Sequence, residues 1–169
     1  MAPRLVLMIG LPGSGKSTMA ERLAIAIPGS LVVSTDQIRG DLFGDAAVQG
    51  PWPVLWREVE RRLRQAAIAS QRSAIAAIYD ATNAKRQDRR AAIALARSVG
   101  FGSVIGVWVP TPLPQCLWRN QQRDRQVPPE IVVRMHRQLV GAPPELADGL
   151  DGLLVSCDPD WVARSLVGR

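Results

Sequence analysis

At 169 residues the chain has room for one domain around a single core, and its apolar fraction of 47% is near that of an ordinary globular protein. Lys and Arg outnumber Asp and Glu by 21 to 15, for a net charge of +6 and a pI of about 10.6, a balance expected to attract phosphates, with nucleic-acid binding and a merely soluble basic surface as the two readings. Two separated cysteines, Cys116 and Cys157, exclude a disulfide framework and a thiolate metal cluster, and His136, the sole histidine, excludes a His-centred triad and a multi-histidine zinc site.

Arg4 to Ile9 is an apolar run bounded by Gly10, which predicts a strand buried on both faces. It is too short to span a membrane and runs into a Gly-rich loop where a leader would carry a cleavage site, so no membrane association and a cytoplasmic protein without a targeting segment are expected. Lys16 to Ile27 has helical apolar spacing (Met19, Leu23, Ile27) and stops at Pro28-Gly29. Leu31 to Val33 reads as a strand, Asp36 to Phe43 as a helix closed by Gly44, and Gly50, Pro51 and Pro53 as a loop. A helix over Val54 to Ser70, a strand over Ala74 to Tyr79, a helix over Lys85 to Val99 and a strand over Val104 to Val109 follow. Leu113 to Arg125 and Glu130 to Leu139 read as helices separated by Pro128-Pro129, then come the loop Ala142-Pro-Pro-Glu145, a strand over Leu153 to Val155 and a helix over Trp161 to Val167. Both cysteines have apolar neighbours and read as buried fillers.

Alternating strands and helices predict an α/β fold with a parallel sheet covered on both faces, whose ligands sit beyond the C-terminal strand ends. The loop after the first strand, Gly10-Leu-Pro-Gly-Ser-Gly-Lys-Ser17, matches the phosphate-binding pattern G-x-x-x-x-G-K-[ST] in the strand-to-helix context that pattern requires. Gly10, Gly13 and Gly15 permit backbone angles closed to other residues, and successive N–H groups then form an anion nest at a helix N-terminus. The expected nucleotide-binding set is Gly13, Ser14, Gly15, Lys16, Ser17 and Thr18, with Lys16 on the β- and γ-phosphates of ATP and the Ser17 hydroxyl on Mg2+. The predicted architecture is a P-loop NTPase three-layer sandwich with a five-stranded parallel sheet, one domain over residues 1–169, and an Arg-bearing helical lid over about 112–140.

The P-loop specifies a donor but not an acceptor. Asp36, after the second strand, can accept a proton from an attacking hydroxyl, and Arg39, three residues on, can grip a phosphate; a helix N-cap is the alternative for Asp36. Asp80, after the third strand, can organise water around magnesium, while Thr82 and Asn83 can bond the substrate or cap the next helix. Arg119 and Arg123, four apart, either clamp the transferring phosphoryl group or form a solvated basic face. Trp52 and Trp56 can stack on a ring or pack on the sheet, and Arg57, Arg61, Arg62 and Arg64 can track a nucleic-acid backbone or lie in solvent.

The P-loop, Asp36 with Arg39, Asp80-Ala-Thr-Asn83 with Arg89-Arg90, Arg119-Asn-Gln-Gln-Arg123 and Val127-Pro-Pro-Glu-Ile-Val-Val-Arg-Met135 occur in this order over roughly residues 4 to 140. Together they resemble the kinase domain of polynucleotide 5′-hydroxyl kinases, the group of phage and bacterial end-healing enzymes. The resemblance implies transfer of the ATP γ-phosphate to the 5′-hydroxyl of RNA or DNA. It implies Asp36 as general base, Arg39 on the acceptor's 3′-phosphate, Lys16, Arg119 and Arg123 on the donor, and Asp80 near magnesium and acceptor. The chain carries no Asp-x-Asp-Gly-Thr phosphatase motif and is too short for an added phosphatase or ligase, so the expected role is kinase-only or reliant on a partner. A small hydroxylated acceptor (a metabolite, sugar nucleotide or antibiotic) is the alternative, and a nucleotide-binding regulatory module with little turnover the next.

Overall fold

The computed structural model describes residues 2–69 and 75–168. Five strands, β1 (Arg4–Ile9), β2 (Leu31–Ser34), β3 (Ala77–Asp80), β4 (Ser103–Trp108) and β5 (Gly152–Val155), form one sheet in the order β2-β3-β1-β4-β5. Every pairing is parallel, with Leu5 opposite Ala77 and Val104, and Ser34 opposite Asp80. The seven helices among the described residues are α1 (Lys16–Ala26), α2 (Thr35–Phe43), α3 (Trp52–Ala69), α4 (Arg86–Ser98), α5 (Leu113–Gln121), α6 (Pro129–Gly141) and α7 (Pro159–Val167).

The period-two alternation of β1 divides the core into two layers. Leu5, Leu7 and Ile9 face a cluster with Ile38, Leu55, Val59, Leu63 and Ile93. Val6 and Met8 face the other way, against Met19, Leu23, Val162 and Leu166 of α1 and α7. The central strand is therefore apolar at consecutive positions, as a strand buried on both faces must be. Both layers leave the C-terminal edge of the sheet open, and the loops after β1, β2, β3 and β4 converge there.

Several element ends differ from the sequence reading. The helix α3 starts at Trp52 because the Pro51 carbonyl accepts from the N–H groups of Val54 and Leu55, and Pro53 is tolerated in a first turn. Helix α7 starts at Pro159, with Asp158 capping the N–H groups of Asp160 and Trp161 at 2.9 and 3.2 Å. A 3-10 turn, Leu146–Asp148, lies just beyond the predicted loop. The expected positions Ser70 and Ala74 lie outside the described residues. The largest correction is α5, which ends at Gln121, four residues early. Asn120 turns its side chain onto Val127, donating to its carbonyl at 2.7 Å and accepting from its N–H at 3.0 Å, which bends the chain back.

Candidate phosphotransfer site

The P-loop turns from β1 into α1 through left-handed glycines, Gly13 at φ 81° and Gly15 at φ 93°. A Cβ on Gly13 would stand 2.3 Å from the Cys116 carbonyl oxygen, so the missing side chain is what lets α5 close on the loop. The Ser14 carbonyl accepts from Thr111 Oγ1 at 2.7 Å and from Arg119 Nη1 at 3.4 Å, which anchors the loop from the far side. The Gly10 N–H donates to the Thr82 carbonyl at 3.0 Å and ties the loop to the end of β3. Helix α1 has no side-chain N-cap and no acidic residue in its first turn, so its first N–H groups face a cavity of about 550 Å³. Gly13 to Thr18 line that cavity, opposite Arg119 and Arg123.

A second cavity, about 960 Å³, opens beside the first and shares Lys16, Ser17 and Arg123 with it. Asp36, Arg39, Asp80, Thr82 and Trp52 line it from one side, and Arg125, Ile131, Arg134 and Met135 from the α6 side and the loop before it. Burial pushes the Lys16 ammonium below its ordinary value; Asp80 and then Asp36 push it back up, and Arg123 pushes it down. Both carboxylates therefore act on the lysine at the junction of the two cavities.

The structure decides several alternatives left open by the residues alone. Ser34, not Asp36, caps α2, accepting from the Gln37 N–H at 3.4 Å. Asp36 is relieved of the capping role and meets two guanidiniums, with its Oδ1 at 2.9 Å from Arg39 Nη1 and 3.2 Å from Arg125 Nη1. Asp80 is only 6% exposed, and its Oδ1 has no hydrogen-bond partner among the described residues. Together with Ser17 on the same cavity wall, that orphaned oxygen fits a divalent cation that takes its other ligands from water and phosphate. No cluster of three or more His, Cys, Asp or Glu suited to a metal occurs among the described residues.

Asn83 is held within the fold. Its side chain donates to the Met8 carbonyl at 2.8 Å, it is 5% exposed, and its backbone is left-handed at φ 49°. It fastens the loop after β3 to β1 and is not among the residues that line either cavity. Neither it nor Thr82 caps α4, whose N-cap is Lys85. Arg123 lies past the end of α5, so the shared helix face expected for Arg119 and Arg123 is absent, yet both still line the first cavity. Cys157 is not a buried filler: it is exposed and borders that cavity, whereas Cys116 is buried as expected.

The basic stretch of α3 is largely neutralised within the fold. Arg61 and Arg62 both bond Glu58 at 2.7 Å, Arg62 also reaches Asp41, and Arg64 bonds Glu60. These bonds, Arg61's first, hold the Glu58 carboxyl down at about 2. Trp56 packs on the core, and Trp52 stacks on Trp56 at 5.6 Å while remaining 52% exposed at the second cavity. Arg125 and Arg134 also line the second cavity, and the sequence reading gave neither a role of its own. Arg125 follows Arg123 by two positions, a signal concealed by extending the helix through it.

Residues 5–142 match the family described as the AAA domain. Among solved structures, one chain of a Pnkp1/Rnl/Hen1 RNA repair complex matches with a TM-score of 0.72 at 20% identity, over 83% of this chain and 45% of that one. This chain thus spans less than half the length of that repair protein. The tunicamycin resistance protein of Deinococcus radiodurans matches with a TM-score of 0.65 at 18% identity, over 99% of this chain and 95% of that one. The APS kinase CysC of Mycobacterium tuberculosis, solved with AMPPNP and APS, matches at 0.57 and 20%, over 99% and 96%. At these identities the likeness is one of fold, and that fold is the α/β sandwich of P-loop kinases. With the family match spanning most of its length, the chain belongs to the AAA-domain family of P-loop proteins.

Proposed function

We propose that the protein transfers the γ-phosphate of ATP to a hydroxyl, foremost the 5′-hydroxyl of RNA or DNA. The observation that carries this reading is the pair of cavities joined at Lys16, Ser17 and Arg123, one built for phosphates and the other holding a carboxylate among arginines.

The N–H groups from Gly13 to Thr18 and the Lys16 ammonium hold the β- and γ-phosphates. Arg119 and Arg123 meet them from α5 and the lid, where charge spreads over the transferring phosphoryl group. Ser17 and Asp80 are the residues that would hold magnesium, which when bound supplies neutralisation of phosphate charge. In the second cavity the acceptor hydroxyl gives its proton to Asp36 as its oxygen bonds to the γ-phosphorus, and the bond from that phosphorus to the β–γ bridging oxygen breaks, releasing ADP. Arg39 and Arg125 orient Asp36, and with Arg134 they favour an anionic acceptor. Trp52 offers a face on which a base can stack.

A small hydroxylated acceptor is the second reading. It is favoured by the end-to-end match with the tunicamycin resistance protein, against the half-length match with the RNA repair chain. The test is a panel of acceptors, short 5′-hydroxyl oligonucleotides beside nucleosides, sugars and antibiotics, supplied with labelled ATP and magnesium. Label on the oligonucleotide end supports the first reading and label on a small molecule alone the second. Nucleotide binding with label on nothing leaves a regulatory module.

A further inference from the structure

The chain between α5 and α6 is held as a tied loop. Asn120, 1% exposed, bonds both backbone groups of Val127 at 2.7 and 3.0 Å, and Gln126 Nε2 donates to the Gln121 carbonyl at 3.0 Å. These bonds close the loop at its base and hold its two ends together. Two arginines leave this loop for different destinations. Arg123 lines both cavities, whereas Arg125 lines only the second and pairs with Asp36 Oδ1 at 3.2 Å. Arg39 holds that same oxygen at 2.9 Å, and among the described residues Oδ2 is left to accept a proton.

We infer that Arg125 is a positioning residue that couples the two cavities: its ion pair with Asp36 draws the tied loop toward the sheet and thereby sets Arg123 over the donor phosphates. Arg125 is one-third exposed and Asp36 about half, so the pair adds little to overall stability. Its effect is local, fixing where the tip of a loop closed at its base rests. A residue on the acceptor side then governs nucleotide affinity without touching the nucleotide, and acceptor binding at Asp36 is felt at the donor by the same route. The inference rests on assigning the two cavities to donor and acceptor, as proposed above.

The test is a double-mutant cycle read by calorimetric titration of a non-hydrolysable ATP analogue with magnesium, using the wild type, Arg125→Gln, Asp36→Asn and the double variant. Charge effects that act independently add and cancel in the cycle, leaving the pair's own contribution. Arg125→Gln is expected to weaken the analogue about fivefold in the wild-type background and less than about twofold beside Asp36→Asn, and Arg125→Lys to recover most of the loss. An equal effect in both backgrounds, or none in the wild type, overturns the inference. If the analogue binds but phosphate reaches no hydroxyl, the proposed function fails while the cycle still decides the coupling. No analogue binding by the wild type overturns both.

Discussion

Arg89 is fully buried, and its guanidinium has four acceptors: Asp148 Oδ2 at 2.7 Å, the Asn83 and Ala84 carbonyls at 3.3 and 3.0 Å, and the Ala142 carbonyl at 2.7 Å. One side chain thus joins the loop after β3, the end of the lid helix and the turn before β5. Arg89→Met removes every bond and leaves the buried Asp148 carboxylate with only Arg86 at 3.1 Å and Arg90 at 3.9 Å. Breaking a buried, hydrogen-bonded pair costs about 3–5 kcal/mol. The two remaining arginines argue for the low end and the three stranded carbonyls for the high end, so we expect about 4 kcal/mol, a large share of the roughly 5–15 kcal/mol that holds a domain together. With a urea slope of about 2 kcal/mol/M, the unfolding midpoint should fall by about 2 M. Arg89→Lys keeps the charge but cannot fork to four acceptors, and should lose about half as much. Urea titration followed by far-UV circular dichroism measures this, and a midpoint lowered by less than about 0.5 M in Arg89→Met would refute the reasoning.

Gly13→Ala drives a Cβ to 2.3 Å from the Cys116 carbonyl at a φ of 81°, so α5 must retreat from the P-loop; affinity for an ATP analogue should drop at least about tenfold, as titration would show. Glu58 has its folded pKa held at about 2, below its usual 4.5, so its contribution is complete above pH 4.5 and is lost as pH falls toward 2. The partner Arg61 is more than half exposed, which limits the contribution to under about 1 kcal/mol; Glu58→Gln should remove that part of the acid-induced loss in denaturation curves taken between pH 5 and 2. If Arg39, Arg125 and Arg134 each meet a phosphate, oligonucleotide KM should rise about 20-fold between 50 and 200 mM salt through counterion release, and a neutral small acceptor less than about twofold.

Much of the site was legible because it is local. The P-loop carries its geometry in consecutive residues, and Asp36 follows, and Asp80 ends, strands that apolar runs predict. What stayed hidden depends on partners distant in the chain. Arg89 and Arg90 are neighbours of the same type, yet only Arg89 is buried, because Asp148, 59 residues away, faces it. Asn83 reads as a polar loop residue until Met8 supplies its acceptor. Arg125 escaped notice because helical spacing from Leu113 continues plausibly through it, and only the bonds from Asn120 to Val127 reveal the turn. The sheet order likewise follows from packing between strands and has no signal within any one of them.

The central claim is that Asp36 activates a hydroxyl in the second cavity, and one comparison tests it most directly: transfer of labelled γ-phosphate to a 5′-hydroxyl oligonucleotide by the wild type and by Asp36→Ala, with analogue affinity measured for both. The account predicts robust transfer by the wild type and a loss of at least about a hundredfold in the variant, while the analogue still binds within about tenfold of the wild type. Equal transfer by both proteins, or none by the wild type to any hydroxyl offered, would contradict it.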